Sequence, residues 1–159
     1  QLATAYAARV NGGTLVTPHV VAAIGDQAVL PAPRATGLVS PTLSKQLVGL
    51  LSHVVETVPF YRARTLVPGY VVGGKTGTAQ IWDPTLENGA GGWIPNAYNY
   101  TFVGYIGRTA PELVVAVRIA HAEPKSIRPG YQVLPVHSFE LFRRIASDAM
   151  AALGLGSRR

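Results

Sequence analysis

Apolar positions recur at helical spacing in three stretches and form short runs elsewhere, which divides the chain into helices and strands. In Gln1 to Asn11, Leu2, Tyr6 and Val10, with Ala3 and Ala7 beside them, make one helical face, and Gly12-Gly13 supplies the stop. Leu15 to Leu30 is rich in valine, with Pro18 early and Gly25-Asp26-Gln27 in the middle, a pattern of short extended segments around a turn. Pro31 and Pro33 follow in a connector too short to link domains. Ser40-Pro41 joins a capping hydroxyl to a proline at the first helical position, where the missing N–H costs nothing. Leu43, Leu47, Leu50, Leu51, Val54 and Val55 then form a wide apolar stripe that ends before Pro59. Tyr70 to Gln80 reads as a strand, and a glycine-rich loop is expected from Trp82 to Asn99. Tyr100 to Gly107 and Leu113 to Ala120 are two further strands, paired antiparallel through a turn at Arg108 to Glu112. A last helix is expected from Val136 to Leu153, with Phe139, Phe142, Ile145, Ala146, Ala149, Met150 and Leu153 inward and Gly154 ending it. The order predicts an α+β fold, an antiparallel sheet flanked by helices, over residues 1–154, with a flexible tail at 155–159.

Composition narrows the chemistry. The 159 residues are 48% apolar, enough for a real core. Fourteen Lys and Arg against eight Asp and Glu give a formal charge of +6, yet only 14% of residues are charged. Basic pairs occur only at Arg62/Arg64, Arg143/Arg144 and Arg158/Arg159, so a solvated basic surface is favoured over a nucleic-acid interface. Attraction to anionic membrane surfaces or polymers stays open. The absence of cysteine excludes disulfides, thiolate zinc sites and a cysteine nucleophile. His19, His53, His121 and His137 show no metal-ligand spacing, and neither metal nor cofactor is expected. No apolar run approaches the ~20 residues of a spanning helix and no leader pattern opens the chain, so the chain itself is expected to be soluble. It opens in mid-helix on Gln1, as a piece of something longer would.

The informative stretch is Gly73-Gly74-Lys75-Thr76-Gly77-Thr78-Ala79-Gln80. Strand alternation sends Thr76, Thr78 and Gln80 to one face and Lys75 and Ala79 to the other. Two hydroxyls on one face can both donate to a carboxylate, while Gly77 leaves the backbone bare for an extended peptide to pair along it. An ammonium at Lys75 adds charge to a site that handles an anion or a proton. The same residues also suit a plain edge strand, whose threonines favour β-structure and whose lysine discourages aggregation.

Lys-Thr-Gly is one of three signatures of penicillin-binding proteins and class A β-lactamases, with Ser-x-x-Lys and Ser-Asp-Asn. Nearly the whole chain resembles the C-terminal part of the transpeptidase domain of class B penicillin-binding proteins, of the serine β-lactamase/D,D-peptidase superfamily. QLATAYAARVNGGTLVTPHVV is similar to the helix and segment ahead of the motif strand, and SPTLSKQLVGLLSHVVE to the next helix. YVVGGKTGTAQ resembles the motif strand, YTFVGYIGRTAPELVVAVRIAHAEP the paired strands after it, and VHSFELFRRIASDAMAAL the closing helix. The resemblance implies that Lys75 organises proton transfer beside the serine of the second motif, and that Thr76 and Thr78 hold the carboxylate of a peptide or β-lactam. The Thr78 N–H becomes one of two oxyanion donors. Catalytic roles thus fall on Lys75 and Thr78, and substrate-binding roles on Thr76, Gly77, Thr78, Gln80 and Trp93.

Departures from the family pattern matter as much. Ser-x-x-Lys fails at Ser40, Ser44, Ser52, Ser126, Ser138, Ser147 and Ser157, and Ser-x-Asn is absent too. Since the family carries both motifs earlier, the nucleophile is expected outside this chain, which would then be inert alone. Val58-Pro59-Phe60-Tyr61 stands where the family often has a Gly-Thr-Ala-like turn, which puts the local loop shape in question. Trp82, Trp93, Tyr98 and Tyr100 flank the loop after the motif strand, as a substrate wall or as loop anchors.

The resemblance implies a parent that is a serine acyltransferase, a D,D-transpeptidase building peptidoglycan cross-links and acylated by β-lactams. Its expected partners are D-Ala-D-Ala stem peptides, β-lactams, the N-terminal half of the same domain and cell-wall synthesis proteins, with no nucleic acid. It implies a parent anchored in the cytoplasmic membrane with this domain outside. The rival expectations are a non-catalytic β-lactam sensor and a structural or interaction module. In isolation the chain is expected to expose one sheet edge and an apolar helix face, and so to dimerise or swap elements.

Overall fold

The computed structural model describes residues 1–128 and 131–156. The elements follow the capping and breaking residues closely. Helix α1 (Leu2–Val10) ends at Asn11, and β1 (Ala23–Ile24) and β2 (Gln27–Ala28) form a minimal hairpin over Gly25, whose φ of +59° suits a residue without a side chain. Helix α2 (Pro41–Thr57) starts where Ser40 Oγ accepts from Leu43 N at 3.2 Å. A second proline at a first helical position opens α3 (Pro59–Thr65). Strand β3 (Val71–Asp83) leads through α4 (Leu86–Gly89), a single turn with Glu87 and Asn88 in the left-handed region, to β4 (Gly92–Gly107). Strands β5 (Leu113–Ala122), β6 (Lys125–Arg128) and β7 (Tyr131–Val133) follow, and α5 (Ser138–Ala152) closes the chain.

The main sheet is antiparallel in the order β3-β4-β5, so among the described residues β3 and β5 are its edges. Alternation gives each face its own cover. Phe102 lies on the α5 face, its ring 4.9 Å from Phe142 and 6.4 Å from Phe139. Tyr105 lies on the α2 face, where its hydroxyl donates to Val48 O at 2.8 Å and sits 2.7 Å from Ser52 Oγ. The core gathers Val55, Val67, Val72, Phe102, Ile106, Val117, Phe139, Phe142, Ala146 and Met150. Two glycines ahead of Lys75 are there for those rings. A Cβ at Gly73 would stand 2.6 Å from the Tyr105 ring, and one at Gly74 2.3 Å from Phe102 Cζ and 2.8 Å from Val103 O.

Several expectations need correction. The loop expected from Trp82 to Asn99 is mostly strand: β3 runs on to Asp83 and β4 already starts at Gly92, with Trp82 paired to Trp93. Cross-strand aromatic contact extends the ladder, and glycine freedom is used only at the tip. The expected strand over Leu113 to Ala120 continues to Ala122, and α3 and the β6–β7 hairpin were not foreseen. On α2 the buried residues are Ser44 and Val55, while Leu43 and Leu50 are 43% and 62% exposed. Its apolar stripe is wider than the surface that β3, α1 and α3 cover. Ile145 and Leu153 of the closing helix are likewise exposed. Ser44 is buried because its Oγ accepts from Gly12 N at 3.0 Å, tying the end of α1 to α2. The tail expectation falls mostly on residues 157–159, outside the described residues.

Candidate active site

Halfway along β3 the strand passes from two-sided burial to an open edge: Val72, Gly73 and Gly74 are buried, and Lys75 to Gln80 are half-buried or exposed. Thr76 pairs with Phe102, Gly77 with Thr101 and Thr78 with Tyr100. The two threonines therefore share the α5 face, and both line a cavity of about 170 Å³ with Gly77, Tyr61, Thr101 and His137. Lys75 starts from the opposite face but is not confined to it. Its Nζ donates to Thr76 O at 3.0 Å and reaches Thr76 Oγ1 at 3.4 Å. Ammonium and hydroxyl thus meet at the strand edge, which side-chain alternation alone does not show.

Other predicted residues lie apart from this cleft. Gln80 pairs with Tyr98 just before a register shift in the ladder, further along the same strand and exposed. Trp93 is 55% exposed and meets Trp82 edge to face at 5.1 Å, at the far end of the β3–β4 ladder. Neither lines the cavity with the threonines.

The cavity has walls that the strand pattern did not single out. Tyr61, carried by α3, brings its hydroxyl 3.1 Å from Thr76 Oγ1, and its ring is held edge to face by Phe139 at 5.2 Å. The Pro59 start signal could have revealed α3, but not where Tyr61 would reach. His137 precedes α5, stacked on Phe139 at 4.9 Å and edge-on to Phe60 at 5.1 Å. Burial pushes the His137 imidazole below its ordinary pKa, with the Arg64 guanidinium adding to the effect and Glu140 opposing it. Arg64 is occupied by Glu140 at 3.3 Å and by the Phe60 ring at 4.3 Å. Burial, then the neighbouring Tyr98, raises the Tyr100 phenol, which stays protonated at neutral pH. The cavity therefore offers hydroxyl donors and neutral rings beside the Lys75 ammonium, a setting for an anionic group with an extended backbone.

The penicillin binding protein transpeptidase domain model matches residues 1–134. The chain is 30% identical over 160 residues to penicillin-binding protein PbpB of Mycobacterium tuberculosis, covering 94% of this chain and 22% of that protein. It is 32% identical over 119 residues to the probable peptidoglycan D,D-transpeptidase PbpC of Pseudomonas aeruginosa, covering 75% of this chain and 19% of that protein. Among solved structures, penicillin-binding protein 3 of M. tuberculosis complexed with ampicillin superposes with a TM-score of 0.72 at 26% identity, covering 98% of this chain and 35% of that one. The chain thus spans less than a quarter of the length of these curated relatives. A matching model over most of the chain and a shared fold lead to one statement: the chain belongs to the penicillin-binding protein transpeptidase domain family.

Proposed function

We propose that this chain supplies the Lys-Thr-Gly-Thr strand, one oxyanion donor and one wall of the cleft of a peptidoglycan D,D-transpeptidase that β-lactams acylate. The observation that carries the reading is the pair Thr76 and Thr78 on one cavity at the open edge of β3, beside the Lys75 ammonium. Main-chain direction supports it. In an antiparallel ladder the N–H and C=O of one residue turn to the same neighbour and those of the next turn away. Gly77 O accepts from Thr101 Oγ1 at 3.3 Å and so faces β4, which leaves the main-chain groups of Thr76 and Thr78 on the open edge. A peptide or β-lactam lies along that edge as an added strand, its carboxylate against the two hydroxyls and its reacting carbonyl oxygen on Thr78 N–H.

The reaction is acyl transfer. A serine Oγ bonds to the carbonyl carbon as the C–N bond breaks, the hydroxyl proton passing to the leaving nitrogen; an amine nitrogen then bonds to that carbon as the ester C–O bond breaks, its proton returning to the serine Oγ. No Ser-x-x-Lys occurs in the 159 residues, so the nucleophile belongs to another part of the parent protein and this chain alone is inert. Lys75 holds the proton path, while Gln80 and Trp93 extend the groove further along β3 and β4. The parent works at the outer face of the cytoplasmic membrane. Among the described residues no helix is long and apolar enough to cross a membrane.

Acylation of the full-length protein by a fluorescent penicillin, followed by turnover of a D-Ala-D-Ala peptide, tests this reading. Lys75→Met is expected to slow acylation by about a hundredfold or more. Labelling without turnover favours a β-lactam sensor, and neither labelling nor turnover favours a structural module.

A further inference from the structure

Helix α3 opens in Val58-Pro59-Phe60-Tyr61, the segment that departs from the family pattern, and it delivers a phenol to the strand. Tyr61 is half-buried, its ring fixed by Phe139 and Phe60, its hydroxyl 3.1 Å from Thr76 Oγ1. Both residues line the same cavity. Accepting that Thr76 binds the ligand carboxylate, we infer that Tyr61 is a positioning residue that fixes the direction of the Thr76 hydroxyl and so selects a carboxylate over its neutral ester.

Hydrogens and lone pairs at Thr76 Oγ1 decide the direction. A threonine hydroxyl carries one hydrogen and two lone pairs, and an ammonium can only donate. Lys75 Nζ, 3.4 Å from Thr76 Oγ1, can fill one lone pair. When Tyr61 donates as well, the second lone pair is filled and the one remaining hydrogen turns into the cavity. There it can only donate, and it donates more strongly to a charged carboxylate oxygen than to the neutral carbonyl of an ester. The reverse arrangement, Thr76 donating to Tyr61, would spend that hydrogen and remove Thr76 from ligand binding. An anion in the cavity favours the first arrangement because it accepts from Thr76 more strongly than a neutral phenol does.

The test compares acylation rates of the full-length protein by a fluorescent penicillin and by its methyl ester, in the wild type, Tyr61→Phe, Thr76→Val and the double variant. Measuring both probes on one preparation makes their ratio independent of how much protein is folded. Tyr61→Phe, which keeps the ring and deletes one hydroxyl, should lower the rate for the free acid about five- to thirtyfold and the ester about twofold or less. In the Thr76→Val background it should add nothing, because its effect passes through Thr76. Equal losses for acid and ester, no loss at all, or a full additional loss in the double variant would each overturn the inference. The underlying reading fails separately: if Thr76→Val leaves the acid-to-ester ratio unchanged, or if no variant and no wild type is acylated, Thr76 is not the carboxylate donor and the role of Tyr61 falls with it.

Discussion

The first and second halves of the β3–β4 ladder are one continuous pairing with opposite characters. From Val72 to Gly74 the strand is buried on both faces, and its glycines exist because Tyr105 and Phe102 press their rings against it. From Lys75 to Gln80 the strand carries side chains with donors, and its one glycine, Gly77, faces only the hydroxyl of Thr101, whose Oγ1 lies 2.5 Å from where a Cβ would be. A rigid half is joined without a break to an open half, so the hydroxyls of the open half are placed by packing elsewhere. Stability and activity should therefore separate at Lys75.

Gly74→Ala breaks the rigid half and gives the largest effect. A methyl there meets a buried ring and a main-chain oxygen of β4, neither of which can step aside cheaply. Overpacking of this kind costs about 1–3 kcal/mol, and this site belongs at the upper end. Thermal unfolding of the protein carrying this domain should show the loss. An unchanged midpoint would mean that the sheet moves apart more freely than its packing implies.

Gly77→Ala sharpens the contrast from the other side. Its obstacle is a rotatable hydroxyl, and alanine restricts the unfolded chain, so stability should stay within about 1 kcal/mol of wild type. Acylation should still fall by about tenfold or more, since displacing Thr76 and Thr78 by a fraction of an ångström misaligns an incoming carbonyl. A variant that loses stability as Gly74→Ala does, or that keeps full acylation, would erase the distinction between the halves.

Much of this arrangement is legible in the sequence because it is written in local signals. Ser40-Pro41 marks the start of α2, Phe139, Phe142, Ala146 and Met150 mark the buried face of α5, and alternation puts Thr76 and Thr78 together. The misses have two causes, contact between separate segments and the reach of a long flexible side chain. Trp82 and Trp93 turn an expected loop into strand by meeting across ten intervening residues. Lys75 curls around the strand edge to Thr76, against the direction its position assigns. Tyr61 belongs to the cleft only because α3 packs on Phe139, and nothing local to Val58-Pro59-Phe60-Tyr61 says so.

The smallest effect concerns the wall of the open half. His137 sits among Phe60, Phe139 and Leu134, with Arg64 of α3 and Glu140 of α5 as its charged neighbours. Glu140 Oε2 accepts from His137 N at 2.8 Å, which anchors the start of α5. Its folded-state pKa lies below the ordinary 6.5, so between the two values the unfolded chain binds a proton that the folded chain does not. Stability from this group is therefore complete above the ordinary value and is lost as pH falls through it toward the lowered one. The unfolding midpoint should drop modestly from about pH 7.5 to about pH 5.5, a range above most carboxylate titrations. His137→Asn, which retains a side chain suited to a helix start but cannot titrate, should narrow that drop. If the drop is as large in the variant, the proton is taken up elsewhere, and if stability instead rises on acidification, the imidazole is charged in the folded protein and the cavity is more cationic than its geometry indicates.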